Sequence, residues 1–139
     1  MQPCDAESVT LLITQLGYER PLADVCGWIE RLARVDDQQA AFVACVSDEV
    51  VGWIEVSIQW HLQYVSFALI GGPVVKDGVR GLGIGRRLCE QAEQWSRQHK
   101  IDVLRVTSRS TREDAHRFYL QNSYSHVKDS AVFEKKLTK

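Results

Sequence analysis

The sequence predicts an α/β fold in a single domain over residues 1–139. Three features carry that expectation. Two stretches of helical period open the chain, three β-patterned runs follow in succession, and a glycine-rich segment then joins a strand to a third helix. No linker, internal repeat or low-complexity tract marks a second domain.

Asp5 is the expected cap of a first helix that reaches about Leu16, with Val9, Leu12, Ile13 and Leu16 on one face. Gly17 ends it. Pro21 suits a first helical position, and Leu22, Val25, Ile29 and Leu32 form the apolar stripe of a second helix. Ala40–Val46 and Val50–Ile58 read as strands joined by a tight turn at Ser47-Asp48-Glu49. Gln63–Val75 reads as a third, long strand. Gly71-Gly72-Pro73 interrupts it, and proline has no N–H for the ladder, so a bulge or splay is expected there. The glycine segment leads into a helix to about His99, with Leu88, Ala92, Trp95 and His99 on one face. A strand at Val103–Thr107, a helix at Arg112–Gln121 and a terminal strand pair complete the order.

Composition narrows the function classes. With 45% hydrophobic and 25% charged residues, the chain is an ordinary globular domain, long enough to bury about two-thirds of its unfolded surface. A formal net charge of −1 gives no bulk attraction to nucleic acid or to a membrane surface. No apolar run has transmembrane length, and no basic-then-apolar leader opens the sequence. Cys4, Cys26, Cys45 and Cys89 form no Cys-x-x-Cys pair and no metal-ligand spacing. The expectation is no metal and free, mostly buried thiols in a reducing cytoplasm.

The most informative stretch is Arg80-Gly81-Leu82-Gly83-Ile84-Gly85-Arg86-Arg87, directly after the apolar run ending at Val74-Val75. Three glycines in five residues let the backbone take left-handed conformations and approach a ligand closely. The helix that follows offers unpaired N–H groups and the positive end of its dipole. Arg86 and Arg87 sit at the wrong end of that dipole, at a cost of a few tenths of a kcal/mol or more that a bound polyanion reverses. The bland alternative is a glycine turn with two solvated arginines. A P-loop needs Gly-Lys-Ser/Thr where Arg86-Arg87 stand, and a dinucleotide fingerprint needs glycine at Arg86 and a place near the start of a βαβ repeat. Neither fits.

What remains is Arg-x-x-Gly-x-Gly at Arg80, Gly83 and Gly85, which resembles the pyrophosphate-binding motif of the GNAT superfamily of acyl-CoA-dependent N-acetyltransferases. Residues 112–124, with Phe118-Tyr119 and Tyr124, are similar to the family's second signature, Ala-x-x-Phe-Tyr-x-x-x-Gly-Phe/Tyr. Val132–Leu137 resembles its final strand, and the likeness runs over roughly residues 5–137. The resemblance implies a mixed, mostly antiparallel sheet whose middle strands splay, flanked by helices. It implies acetyl-CoA as co-substrate and no metal. Arg80, Gly81, Leu82, Gly83, Ile84, Gly85 and Arg86 would hold the pyrophosphate, and Val74 and Val75 would offer backbone groups to the pantetheine in the splay. The family's usual first strand has no counterpart ahead of Asp5. An open edge would then be left, and the expectation is a homodimer.

Transfer of an acetyl group to an amine sets three demands: the ammonium must lose a proton, the thioester oxygen must be stabilised, and the thiolate gains from a proton donor. Tyr119 matches the tyrosine of the family's Phe-Tyr signature, which the resemblance makes the donor. A phenol of pKa near 10 stays protonated at neutral pH. Glu55 is the expected base, on the face of Trp53 and Ser57 opposite Ile54, Val56 and Ile58, where burial would raise its pKa. The alternative for Glu55 is a solvent-facing strand residue, and His61 and His116 are rival titrating groups. Two departures from the family's wording fall at Arg109, where asparagine is frequent, and at Ser123, the signature glycine.

By the same resemblance, Tyr18, Glu19 and Arg20 with Trp60, His61 and Tyr64 would cover the acceptor. The sequence thus points to transfer of acetyl from acetyl-CoA to a primary amine of a small molecule. Acetylation of a protein, a catalytically silent acyl-CoA sensor, and a domain for another phosphate ligand such as a nucleotide stand as alternatives.

Overall fold

The computed structural model describes residues 1–35, 38–79, 81–108 and 113–138. It divides into two compact units, Met1–Thr107 and Ser108–Lys139.

In the first unit a 3₁₀ turn (Pro3–Asp5) leads into α1 (Ala6–Leu16) and α2 (Leu22–Val35). Strands β1 (Gln39–Val46), β2 (Glu49–Gln59) and β3 (Phe67–Val75) follow, then α3 (Ile84–Gln98) and β4 (Leu104–Val106). Asp5 does not cap α1 as expected. Pro3 starts the turn early, so Asp5 already has helical backbone and its carboxylate accepts from the Gln2 N–H at 2.7 Å. Gly17 does end α1, with Tyr18 N–H reaching the Ile13 carbonyl at 3.2 Å. Pro21 stands one residue ahead of α2, where its carbonyl accepts from the N–H groups of Asp24 and Val25.

The described sheet has the order β1-β2-β3-β4; the first two pairings are antiparallel and the last is parallel. Ser47 and Asp48 both take positive φ, the mirror-image turn whose twist suits a two-residue hairpin. β1 is the outer strand of the described sheet, and the Met1 amino group donates to its Ala41 carbonyl at 3.2 Å.

β3 is shorter than the Gln63–Val75 expected. Its ladder with β2 begins at Gln59 opposite Phe67, and the preceding residues turn away into a ring cluster instead of pairing. The interruption at Gly71-Gly72-Pro73 falls as expected: the register slips by one residue between Trp53 opposite Val74 and Glu55 opposite Gly71.

Helices cover both faces. On one, Ala6, Val9 and Leu12 of α1 and Val25 and Ile29 of α2 pack on Trp53 and Val74. On the other, α3 turns Ile84, Leu88, Ala92 and Trp95 inward, and Gly52 lies so close to Leu88 that a methyl there would stand 3.2 Å from Cδ1. Ile54 and Val56 are sealed between strand and helix at 0% and 1% exposure, as their alternation with Glu55 demands. No disulfide joins the thiols, and only Cys89 is buried; Cys4 and Cys45 are exposed, against the expectation of mostly buried thiols. No helix among the described residues is long and apolar enough to cross a membrane, and no described cluster could hold a metal ion.

The second unit holds α4 (Glu113–Gln121). It ends in a Schellman turn: Tyr124 N–H bonds the Tyr119 carbonyl at 3.0 Å and Ser123 N–H the Leu120 carbonyl at 3.4 Å. Ser123 sits at the left-handed position with φ 71°, where a side chain costs about 1 kcal/mol. Ser123→Gly should therefore stabilise the protein by about that amount, read as a higher denaturant midpoint at unchanged slope. The expected terminal strand pair has no counterpart among the described residues. From Ser125 on the described chain has no ladder partner, and Val132, Phe133 and Leu137 are exposed. A strand needs a neighbour to satisfy its backbone, and none is described for this segment.

Candidate active site

Two sequence signals, the glycine loop and Glu55, lie in the first unit and are joined by β3. The loop starts where β3 leaves the sheet. Lys76 N–H bonds the Val51 carbonyl at 2.7 Å, and the Lys76 ammonium pairs with Glu49. Gln15 of α1 clamps the exit from both sides: its Nε2 donates to the Val75 carbonyl at 2.8 Å and its Oε1 accepts from Asp77 N–H at 2.8 Å. That bidentate bridge holds the strand end where the loop must begin.

Gly81 and Gly83 take left-handed φ of 89° and 75°, and a methyl on either would meet no atom within 4 Å. Their lack of a side chain therefore serves the backbone and leaves the space above it open. Gly83 is the N-cap of α3 and makes no side-chain cap; no acidic residue occupies the first turn. Among the described residues the first N–H groups of α3 thus stand without the capping carboxylate or hydroxyl that usually satisfies them, as an anion site requires. Ile84 anchors the helix start in the core, Leu82 is exposed, and Gly85 lies in the first turn. Arg86 pairs with Glu90 at 3.0 Å across one exposed helical turn, a link weak enough to yield to a phosphate. Arg80 lies outside the described residues.

Among the described residues β4 pairs with β3 at Ala68–Ile70, and β3 runs on through Val74 and Val75 beyond that pairing. This is the splay, with Val74 buried at 3% on the α1–α2 side.

Glu55 sits just upstream, paired with Gly71. It is half-buried, and desolvation raises its carboxyl pKa above the ordinary carboxylate range. Gly71 makes the room: a methyl there would lie 2.6 Å from Glu55 Cγ and 2.9 Å from Cδ. On the same face Trp53 buries its indole Nε1 with no hydrogen-bond partner among the described residues. The sequence anticipated the face of Glu55 but not Gly71 or Gln15, whose roles depend on strand register.

The expected acceptor residues divide. Tyr18, Glu19 and Arg20 are exposed on the α1–α2 connector. His61 and Tyr64 gather on Phe67, with ring centroids 5.6 Å apart for His61–Tyr64 and 5.7 Å for His61–Phe67. Trp60 donates instead to Gln38 Oε1 at 2.8 Å. In the second unit, Tyr119 lies between the rings of Phe118 and Tyr124, at 5.3 and 5.7 Å. Among the other residues the sequence singled out, His116 lies on α4, and Arg109 and Arg112 are outside the described residues.

Known proteins are similar to this chain in sequence and in fold. The chain is 36% identical over 83 residues to an aminoalkylphosphonate N-acetyltransferase of Salmonella typhimurium, a match taking in 59% of this chain and 54% of that protein. It thus spans about half the length of that relative. In fold it is similar to a transcriptional regulator from Bacillus halodurans, at TM-score 0.84 and 21% identity over 97% of this chain and 96% of the other. An aminoglycoside 6′-N-acetyltransferase from Acinetobacter haemolyticus superposes at TM-score 0.84 with 15% identity, over 99% and 97% of the two chains. The family model for acetyltransferases of the GNAT type covers residues 10–124, across the strands, the glycine loop, α3 and α4. This chain belongs to the GNAT acetyltransferase family.

Proposed function

We propose that the protein transfers an acetyl group from acetyl-CoA to a primary amine of a small molecule. The observation that carries the reading is the uncapped start of α3 behind Gly81 and Gly83, open in space and free of acidic residues in its first turn. Gly81, Leu82, Gly83, Ile84, Gly85 and Arg86, with Arg80, cradle the pyrophosphate, and β3 at Val74–Val75 lines the pantetheine. When bound, acetyl-CoA supplies the activated acyl carbon.

Glu55 accepts a proton from the substrate ammonium, directly or through one water, and its raised pKa suits the task. The neutral amine attacks the thioester carbon; a C–N bond forms, the C–S bond breaks, and the nitrogen sheds its second proton, which replaces through solvent the one that Tyr119 gives up. Tyr119 gives its proton to the departing sulfur. Its assignment rests on the family signature, and we read the two compact units as one domain.

Small-molecule acceptors are favoured by the Salmonella relative, whose named substrate class is aminoalkylphosphonates. Acetyl-CoA supply suits a cytoplasmic location. The open β1 edge suits a homodimer, which sedimentation velocity would detect as a two-chain species. The decisive assay follows release of free CoA thiol with a panel of amines. Amine-dependent release that Tyr119→Phe lowers at least about tenfold supports the reading. Binding of acetyl-CoA without turnover of any amine would instead favour a silent sensor.

A further inference from the structure

Strand register sets a second charged group on the face that carries Glu55. Glu55 pairs with Gly71 on β3, and Leu69, two residues along the same face of β3, pairs with Arg105 of β4. Strand spacing and rise then put the Cα atoms of Glu55 and Arg105 about 12 Å apart on one side of the sheet. Arg105 is half-buried. Its guanidinium carbon lies 4.4 Å from the Phe67 ring centroid and 5.6 Å from that of Tyr64.

The environment of this arginine differs from that of others in the chain. Arg86, Arg97 and Arg117 each stand within 4.0 Å of a carboxylate on their own helix. Arg105 has none among the described residues. Ring stacking occupies the flat face of a guanidinium and leaves its rim of five N–H donors directed outward in the plane. That rim matches a carboxylate, phosphate or phosphonate in a two-bonded fork.

We propose that Arg105, held on Phe67 and Tyr64, forms a subsite for an acidic group on the acceptor, so that the substrate is an amine that also carries a phosphonate, phosphate or carboxylate. The proposal deepens the acetyl-transfer reading and rests on it for the role of the amine. One carboxylate and one guanidinium on a single face fit the two ends of a short zwitterion. They do not fit a polycation, which would meet the Arg105 charge with like charge. The competing role for Arg105 is a latch that only holds residues 60–66 against β3.

The test compares kcat/KM for three acceptors of similar length, 2-aminoethylphosphonate, β-alanine and propylamine, in wild type, Arg105→Lys and Arg105→Met. Wild type should prefer the two acidic amines to propylamine. Arg105→Met should cut the ratio of 2-aminoethylphosphonate to propylamine about 10- to 100-fold, mainly through KM, and Arg105→Lys should restore part of it. A latch predicts that both acceptors fall together, leaving the ratio fixed, and that result overturns the proposal, as does a wild-type preference for propylamine. Calorimetric titration of 2-aminoethylphosphonate into the CoA-saturated protein separates the two readings. Arg105-dependent binding without turnover keeps the subsite and rejects the transfer reading; absence of both turnover and binding rejects the subsite.

Discussion

Glu55→Gln should lower kcat/KM by about 10²- to 10⁴-fold while leaving the protein folded and able to bind acetyl-CoA. Glutamine keeps the shape that Gly71 accommodates but cannot accept the ammonium proton. In wild type, activity should fall on the acid side as Glu55 protonates, at a pH above that of an ordinary carboxylate, because desolvation raises its pKa. The variant's residual activity should lack that limb. Stability should move the other way. A carboxyl whose folded pKa lies above its unfolded one binds more protons when folded, so its contribution worsens as pH rises from the unfolded value through the folded one. Above that window Glu55 carries its full desolvation cost, and below the unfolded value the cost is absent. The melting temperature of Glu55→Gln should therefore exceed that of wild type at neutral pH, and the difference should vanish in acid. A variant with normal turnover would leave Glu55 a half-buried strand residue with no part in the transfer.

Gly71→Ala carries the second large effect, and it acts through Glu55. The added methyl would lie 2.6 Å from Glu55 Cγ, inside any tolerable contact, and the side chain of Glu55 is the neighbour that must give way. Because that side chain can swing, the fold should lose only about 1 kcal/mol. Displacing the base by an ångström should cost about 10²-fold in kcat. Acetyl-CoA affinity should hold, since the glycine loop begins beyond Val75 and is fastened separately by Gln15. In the Glu55→Gln background the alanine should add little further loss, because the two changes disable one group. Additive losses measured by steady-state kinetics would mean that Gly71 serves something other than Glu55.

Much of this architecture was legible because hydrophobic periodicity reports burial directly. The faces of α1 and α3 and the alternation that buries Ile54 and Val56 away from Glu55 follow from it, while the bulge at Gly71-Gly72-Pro73 follows from proline's missing N–H. The backbone of the glycine loop was legible for a different reason, since clustered glycines before a helical period favour left-handed φ, as Gly81 and Gly83 take. Periodicity overran β3, however: residues 63–66 have strand propensity, but ring packing around Phe67 won over ladder pairing. The same limit explains Val132–Leu137, whose strand pattern finds no ladder among the described residues. Asp5 shows a local rule displaced by its neighbour, because Pro3 moved the turn by a few residues. Gly71 and Arg105 were beyond reach for a shared reason. Each gains its role from a residue on another strand, and register is not written in either segment alone. The one visible hint was a charge inside the apolar run Val103-Leu104-Arg105-Val106.

Thermal unfolding with saturating acetyl-CoA, set beside CoA, ATP and NAD, tests most directly the claim that the glycine loop and α3 hold a coenzyme A pyrophosphate. At about a hundred times its Kd, a ligand adds roughly 2.7 kcal/mol, enough to raise the midpoint by several degrees. The account predicts that rise with acetyl-CoA and CoA alone. No rise, or an equal one with ATP and NAD, would contradict it.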